Sequence, residues 1–507
     1  MSLLAIDIGS SRCKGVLFSS SGETLAHCTQ SYAPEFPRPS FAEMNPDTFL
    51  DAVTAVSRSI CGSQRDGTVE AVCLSSHGET LIPVNSARVP LRTAILNIDT
   101  RASDEAEWCE QQMGRKHLFE LTGHTSHTMY PVPKLLWLRK HEPELFQAGC
   151  RFLGVISYIF LRLGLPPYID YSLASRFMAF DIRKKCWSDE VLSLLDMEKD
   201  SFPVSVPAGT IAGNLSLEAA RQLGLSAGTL MIVGGHDQAC GAVGVGAITS
   251  KKVFDSMGTY ESIAATSDEP QINEEALAYS LNTYCHVIPD KYITLAYFPS
   301  GIMIQWFSDL LHPSNADGLS SAAEEANFSA LESLAPEQAS GLLVVSHLIG
   351  TCNPDFNPNA RGAILGLTAS SHRGDIYKGI LEGIACELSS MTGIFERTLG
   401  PFKDIYATGG GTRSQLGMRL RSATTERTFH LMSCPESVCL GGAILTSVAV
   451  GQYPTICEAV KQMVREEKSF EPDRALTRAY LPIKKQYVEL NSLLRKFEKC
   501  TTAPQLT

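Results

Sequence analysis

Apolar residues open the chain in three short runs: Leu3–Ile8, Gly15–Ser19 and a weakly alternating Glu23–Gln30. Gly9-Ser10-Ser11 and Ser20-Ser21-Gly22 separate them. Runs of that length between turn residues predict a β-meander with a tight first turn. The period then lengthens. Phe49, Val53, Val56 and Ile60 share one helical face and predict a helix over 46–61, with Asn45 as its N-cap. A buried strand follows at Val69–Leu74 and ends in Ser75-Ser76-His77-Gly78. Helices are predicted over 108–121, 134–141, 151–164 and 215–224. The strand Leu230–Val233 runs into Gly234-Gly235-His236-Asp237. From there the pattern restarts, with strands at 252–256 and 260–265 around Gly258-Thr259. Further strands are predicted at 292–296, 342–346 and 404–407, and helices at 302–311, 320–334, 373–399, 413–425 and 438–450. The tail beyond about residue 495 reads as frayed. Two halves that each begin with strands and continue as alternating strand and helix predict two α/β domains with a cleft between them. The division falls in the stretch 246–251, giving domains 1–247 and 248–495, and no sequence repeat relates them.

Composition narrows the partners. The 507 residues carry a formal net charge of -11, which disfavours nucleic acid and anionic membrane. Any phosphate site must therefore be a local arrangement. Fifteen scattered cysteines contain no CxxC pair and read as core thiols of a reducing compartment. The start, MSLLAIDIG, reaches Asp7 without a basic stretch, and no apolar window is long enough to span a membrane, so a cytoplasmic protein is expected.

Candidate chemistry sits at glycine turns after strands. Neither GxxxxGK[ST] nor GxGxxG is present, so a P-loop enzyme and a dinucleotide fold lack support. In Asp7-Ile8-Gly9-Ser10-Ser11-Arg12-Cys13-Lys14 a carboxylate ends a strand and a hydroxyl-bearing turn follows. Such a turn lets backbone amides approach an anion, and Asp7 suits Mg²⁺ held through water. Read alone, it is equally a β-turn with a capping Asp. Asp237 follows a strand and precedes a small-residue helix, where it is either a proton acceptor for a substrate hydroxyl or an ordinary N-cap. Asp255-Ser256-Met257-Gly258-Thr259 echoes the first turn. Ala407-Thr408-Gly409-Gly410-Gly411-Thr412-Arg413-Ser414-Gln415 opens its backbone to a flat or anionic ligand. His124 and His127 lack a completing acid or thiol and read as a surface or loop pair, not a metal site.

Taken in order, these residues resemble the FGGY carbohydrate kinases from Leu3 to about Tyr453. The stretch Met129-Tyr130-Pro131-Val132-Pro133-Lys134-Leu135-Leu136-Trp137 and on to His141 fits the family's first signature. The second resembles Gly362–Leu367 running to Glu382-Gly383, with Gly379 where the family has Ala or Ser. The resemblance implies two domains of the actin and hexokinase type (ribonuclease H-like), with ATP bound between them and Mg²⁺ required. It implies that Asp7, Ser10, Ser11 and Lys14 face the phosphates, opposite Gly258 and Thr259. Gly301, Gly410, Gly411 and Gln415 would line the nucleotide pocket, and Asp237 falls on the catalytic base. On the sugar side, His77-Gly78 resembles the xylulokinases, and Gly78 before Glu79 argues against glycerol. Asp99, Met129, Tyr130 and Gln238 would complete that side. Gly350-Thr351-Cys352-Asn353-Pro354 departs from the Glu-Arg that many members carry before the proline.

The expected activity is ATP-dependent phosphorylation of a small sugar or polyol, with a ketose such as xylulose favoured. The expected partners are that sugar and ATP, with neither nucleic acid nor membrane, and a homodimer is allowed for. A silent sugar or nucleotide sensor on the same fold is the alternative, though it needs no base. An actin-type ATPase would not need the residues on the sugar side.

Overall fold

The computed structural model describes residues 2–63, 69–147, 149–311 and 321–500. The opening meander forms as the pattern predicts: β1 (Ser2–Ile8), β2 (Arg12–Ser19) and β3 (Thr24–Ser31) pair antiparallel in sequence. Helix α1 (Asp47–Ser63) packs on β2 and β3. It buries Phe49, Val53, Val56 and Ile60, and the Asn45 carboxamide accepts the Asp47 N–H at 3.0 Å. The sheet continues with β4 (Val69–Ser76), β5 (Ile211–Asn214) and β6 (Leu230–His236) in the order β5-β6-β4-β1-β2-β3. Strands β1, β4 and β6 run parallel, so β1, β4 and β6 deliver Ile8, Ser76 and His236 to one end. That carboxyl end is where an open α/β sheet presents ligand groups. Helix α2 (Asp237–Gly244) starts there.

The second sheet repeats the plan. It contains β7 (Lys252–Met257), β8 (Tyr260–Ser267), β9 (Asn282–Cys285), β10 (Tyr292–Pro299), β11 (Asp404–Gly409), β12 (Thr428–Met432) and β13 (Glu466–Phe470). Their order is β9-β10-β8-β7-β11-β12-β13. Four antiparallel strands, β9-β10-β8-β7, join a parallel run, here β7, β11 and β12. Helices α3 (Arg373–Leu399), α4 (Gln415–Thr425) and α5 (Ser437–Ala449) complete this half. Gly383, in the second signature, lets α3 lie against the strand Leu343–Val345: a Cβ there would fall 2.1 Å from the Val344 carbonyl.

Helix α5 leaves its own sheet and packs on β1 and β4 of the first. It also crosses α2 at backbone contact. A Cβ on Gly441 would lie 1.9 Å from the Cys240 carbonyl, and one on Gly244 would lie 1.9 Å from that of Ser437. Backbone cannot yield as a side chain can, so Gly441→Val should lower stability by about 3 kcal/mol or more through overpacking. Gly442→Ala is the control, because its new methyl meets only the Ala5 methyl at 3.3 Å and the Cys73 thiol at 3.4 Å. Thermal unfolding of the two variants checks this, and equal melting temperatures would refute the wedge.

Several predicted elements differ. The expected helix over 108–121 is two, Ser103–Met113 and Arg115–Thr122, because Gly114 takes φ 79° and breaks the ladder. The run 151–164 is a short strand, Arg151–Leu153, followed by a helix, Val155–Arg162. The helix expected over 413–425 begins at Gln415, capped by the Ser414 hydroxyl, and a 3₁₀ turn precedes it. The helix expected over 320–334 spans Ser321–Ser333, and residue 320 lies outside the described residues. The tail is ordered further than expected: a helix runs from Arg474 to Cys500 with Pro482 inside it. Residues 501–507 lie outside the described residues. No described helix is long and apolar enough to cross a membrane.

Candidate active site

Asp7 is the penultimate residue of β1 and stands directly across the hairpin from Lys14. The Asp7 Oδ1 is buried without a hydrogen-bond partner among the described residues. Asp237, at the start of α2, accepts the Gln238 N–H at 2.6 Å and lies 3.4 Å from His236 Nδ1. Burial first, then the charge of Asp237, pushes the Asp7 carboxyl well above the usual carboxylate range. Burial and the nearby Glu79 carboxylate raise Asp237 to about 7, against the opposing pull of the Gln238 N–H and the Arg176 guanidinium. Two buried carboxylates, one raised in part by the charge of the other, make a setting that a cation relieves.

Glu79 and Arg176 form a buried ion pair beside Asp237. Glu79 has φ 65°, an uncommon backbone state outside glycine. The Arg176 guanidinium lies 5.2 Å from the Tyr130 ring and 5.1 Å from that of Tyr284. Tyr284 in turn bonds His236 Nδ1 at 3.0 Å. His77 is committed on both nitrogens, to the Ile8 carbonyl at 2.9 Å and the Thr80 hydroxyl at 2.7 Å. Burial lowers its pKa, so the ring is neutral. The expected hydroxyl reader is therefore satisfied within the protein, and it ties the end of β1 to the Gly78-Glu79 turn. Asp99, expected beside the sugar, accepts from the Ala42 N–H at 2.6 Å and from Arg101 at 2.7 Å, and so anchors a buried loop. Gln238 keeps a buried Oε1 without a partner among the described residues. His124 and His127 lie in a loop, one of the two settings expected, but His124 is fully buried and bonds Asn282 at 3.3 Å and Tyr130 at 3.2 Å. No metal-holding group of three ligands occurs among the described residues.

A second set of residues surrounds a cleft of about 1020 Å³ in the C-terminal half. Gly258, Thr259, Gly301, Gly410, Gly411 and Gln415 all line it. The Gly301 N–H bonds the Gly258 carbonyl at 3.1 Å, and a Cβ on Gly301 would fall 2.4 Å from that oxygen, so the two turns form one bare-backbone wall. The Gln415 side-chain Oε1 already accepts from Lys468. Arg421, buried at the cleft floor, holds Glu261 at 2.7 Å, and Glu261 accepts from Ser300 at 2.7 Å. A bridge of contacts joins this cleft to the carboxylates. The Thr408 hydroxyl, beside the glycine loop, donates to the Pro435 carbonyl at 3.0 Å, and Glu436 pairs with Lys14 at 2.7 Å. Lys14, expected to face the phosphates, holds this cross-sheet pair. Ser10 and Ser11 occupy the turn beyond Asp7.

Sequence reasoning missed Arg176, Tyr284, Asn282, Glu436, Glu261 and Arg421. Each is buried or half-buried and finds its partner far along the chain, 97 residues away for Arg176 and 422 for Glu436. No local motif carries such a pairing.

The paired sheets, the glycine-walled cleft and the carboxylates at the strand ends define a two-domain phosphotransferase of the actin and hexokinase type. The family model "FGGY family of carbohydrate kinases, N-terminal domain" matches residues 2–244, and its C-terminal counterpart matches residues 256–450. The chain belongs to the FGGY family of carbohydrate kinases and is a carbohydrate kinase. It is 27% identical over 498 residues to a gluconokinase of Bacillus subtilis (strain 168), covering 97% of this chain and 96% of the relative. A xylulose kinase of the same organism is 24% identical over 507 residues, with 98% and 99% covered. A ligand-bound xylulose kinase from Lactobacillus acidophilus superposes with TM-score 0.88 at 24% identity, over 97% of this chain and 98% of that one. A gluconate kinase from the same organism gives 0.87 at 24%, over 99% of each.

Proposed function

We propose that this chain transfers the γ-phosphoryl group of ATP to a hydroxyl of a small sugar or polyol, with Asp237 as general base. The observation that carries the reading is the placement of Asp7 and Asp237 at the carboxyl end of one sheet, with Lys14, Glu436 and Thr408 linking that end to a bare-backbone cleft. Bound MgATP supplies the phosphoryl group and the charge that neutralises it. The cleft fits a nucleotide: the Gly258 and Gly301 turns bring backbone without side chains to its wall, and Gly410-Gly411 and Gln415 border the same space. Asp7 fits Mg²⁺, because its buried Oδ1 lacks a partner among the described residues, and burial, then the charge of Asp237, disfavours its bare carboxylate. Ser10 and Ser11 are placed by sequence to donate to phosphate oxygens.

On the sugar side, Asp237 accepts the hydroxyl proton as the new bond forms. Its raised pKa suits it to hold that proton, and it must be ionised beforehand. His77 orders the Gly78-Glu79 turn, Glu79 and Arg176 set the field at Asp237, and Met129 and Tyr130 wall the sugar space. The relatives include kinases named for gluconate and for xylulose, and both are substituted chains of hydroxyls. A sugar panel incubated with MgATP and followed by phosphorus NMR tests the reading. A new sugar-phosphate resonance is expected, and release of inorganic phosphate alone would overturn it.

Asp7→Ala should cut turnover and raise the Mg²⁺ concentration needed for half-maximal rate by about tenfold or more. A Mg²⁺ titration checks this. An unchanged half-maximal concentration would remove Asp7 from metal binding.

A further inference from the structure

His236 is buried at the end of β6, one residue before Asp237. Its backbone N–H donates to the Ser172 hydroxyl at 2.9 Å. Its ring turns Nδ1 toward two oxygens, the Tyr284 hydroxyl at 3.0 Å and Asp237 Oδ1 at 3.4 Å. The two contacts ask for opposite things. With its proton on Nδ1, the ring can donate to the carboxylate. With its proton on Nε2, Nδ1 is a bare acceptor for the phenol.

The phenol decides between them. Tyr284 is fully buried, and among the described residues His236 Nδ1 is the one hydrogen-bond partner of its hydroxyl. A buried O–H without an acceptor is costly. The contact to Asp237 is also the weaker claim, because 3.4 Å exceeds the usual N–H···O range of about 2.7–3.2 Å. The phenol therefore donates to Nδ1. The ring is neutral, since burial and then the charge of Arg176 hold its pKa well below the usual imidazole range, so its one proton sits on Nε2.

That choice bears on the carboxylate. Asp237 Oδ1 already accepts the Gln238 N–H at 2.6 Å. A second donor there would favour the ionised form and make it a weaker proton acceptor.

The phenol comes from the C-terminal half, yet it is anchored to the N-terminal one. On either side of Tyr284, the Thr283 N–H donates to the Gly123 carbonyl at 2.9 Å and the Cys285 N–H to the Ser175 hydroxyl at 3.4 Å. Backbone bonds thus place the ring, and removing its hydroxyl should leave it in position.

We propose that Tyr284 is a positioning residue for the base: its hydroxyl donates to His236 Nδ1, holds the ring proton on Nε2 and so withholds a hydrogen bond from Asp237. The tautomer rests on these contacts alone, and its bearing on catalysis rests on the reading of Asp237 as general base.

The test removes one oxygen. Protein carrying nitrogen-15 histidine is followed by NMR, with the His236 signals assigned by their loss in His236→Asn. The wild-type ring should show Nε2–H, and Tyr284→Phe should show Nδ1–H. Tyr284→Phe should also lower the plateau kcat for sugar phosphorylation by about threefold or more with the ATP KM unchanged. The acidic limb of kcat/KM for the sugar should move to lower pH, because Asp237 gains a donor while Asp7, Glu79 and Arg176 stay in place around it. A role in packing alone would move neither the tautomer nor the limb. Nδ1–H in the wild-type protein would overturn the proposal, even if Tyr284→Phe fails to fold. So would an unchanged tautomer in Tyr284→Phe, or a switched tautomer with an unmoved limb where Asp237→Asn is inactive. Normal turnover in Asp237→Asn would sink the base reading instead, and the spectra would then decide this inference by themselves.

Discussion

Asp237→Asn should fold, keep its affinity for ATP and lose sugar phosphorylation by at least about a hundredfold. A sugar hydroxyl is a poor nucleophile while it keeps its proton. The carboxylate takes that proton as the phosphoryl group arrives, and a carboxamide of the same size cannot. The Gln238 N–H that now donates to Asp237 at 2.6 Å can still donate to the Asn oxygen, so the start of α2 should hold. The same reasoning gives a pH dependence. Burial raises the Asp237 pKa to about 7, so the base is protonated and idle below that pH. Activity should therefore fall as pH drops through neutrality, not near the ordinary carboxylate range of about 4. A kcat/KM profile for the sugar checks the limb, and a flat profile down to pH about 5 would contradict the assignment.

Arg176→Met should be the most damaging change on the sugar side for stability. Arg176 and Glu79 have side chains only 3% and 4% exposed, and each is the other's charge partner. Removing one partner of a buried pair costs about 3–5 kcal/mol, because the remaining charge stays desolvated. The methionine keeps most of the volume and some contact with the Tyr130 and Tyr284 rings. The double variant Glu79→Gln, Arg176→Met should recover part of the loss, and a double-mutant cycle on denaturation midpoints reads that coupling. There is a second readout. The guanidinium lowers the Asp237 pKa, so its loss should move the acidic limb of the surviving activity to higher pH. Strictly additive single losses with an unmoved limb would leave Arg176 as packing alone.

Much of the fold was legible because it is written locally. The opening meander, α1 and the strand before Asp237 follow from period and turn residues. The glycine turns at Gly258 and Gly410 were legible as bare backbone, and the structure brings them to one cleft with Gly301 and Gln415. What stayed hidden depends on distant pairs. Nothing in the sequence places Glu436 against Lys14 or Asn282 against Tyr130, because topology makes those neighbours. His77 shows a subtler limit. Its type and position suggested a sugar contact, but both ring nitrogens are taken by the backbone and Thr80. The error over 108–121 had a local cause, because Gly114 split the element.

The most direct test of the central claim is the rate of ADP release by the wild-type protein with and without added sugar. With MgATP alone the rate should be low, and one or more five- or six-carbon polyhydroxy compounds should raise it by at least about a hundredfold, with one sugar phosphate formed per ADP. ADP release that no sugar accelerates would contradict the account and leave the cleft as a nucleotide site without an acceptor.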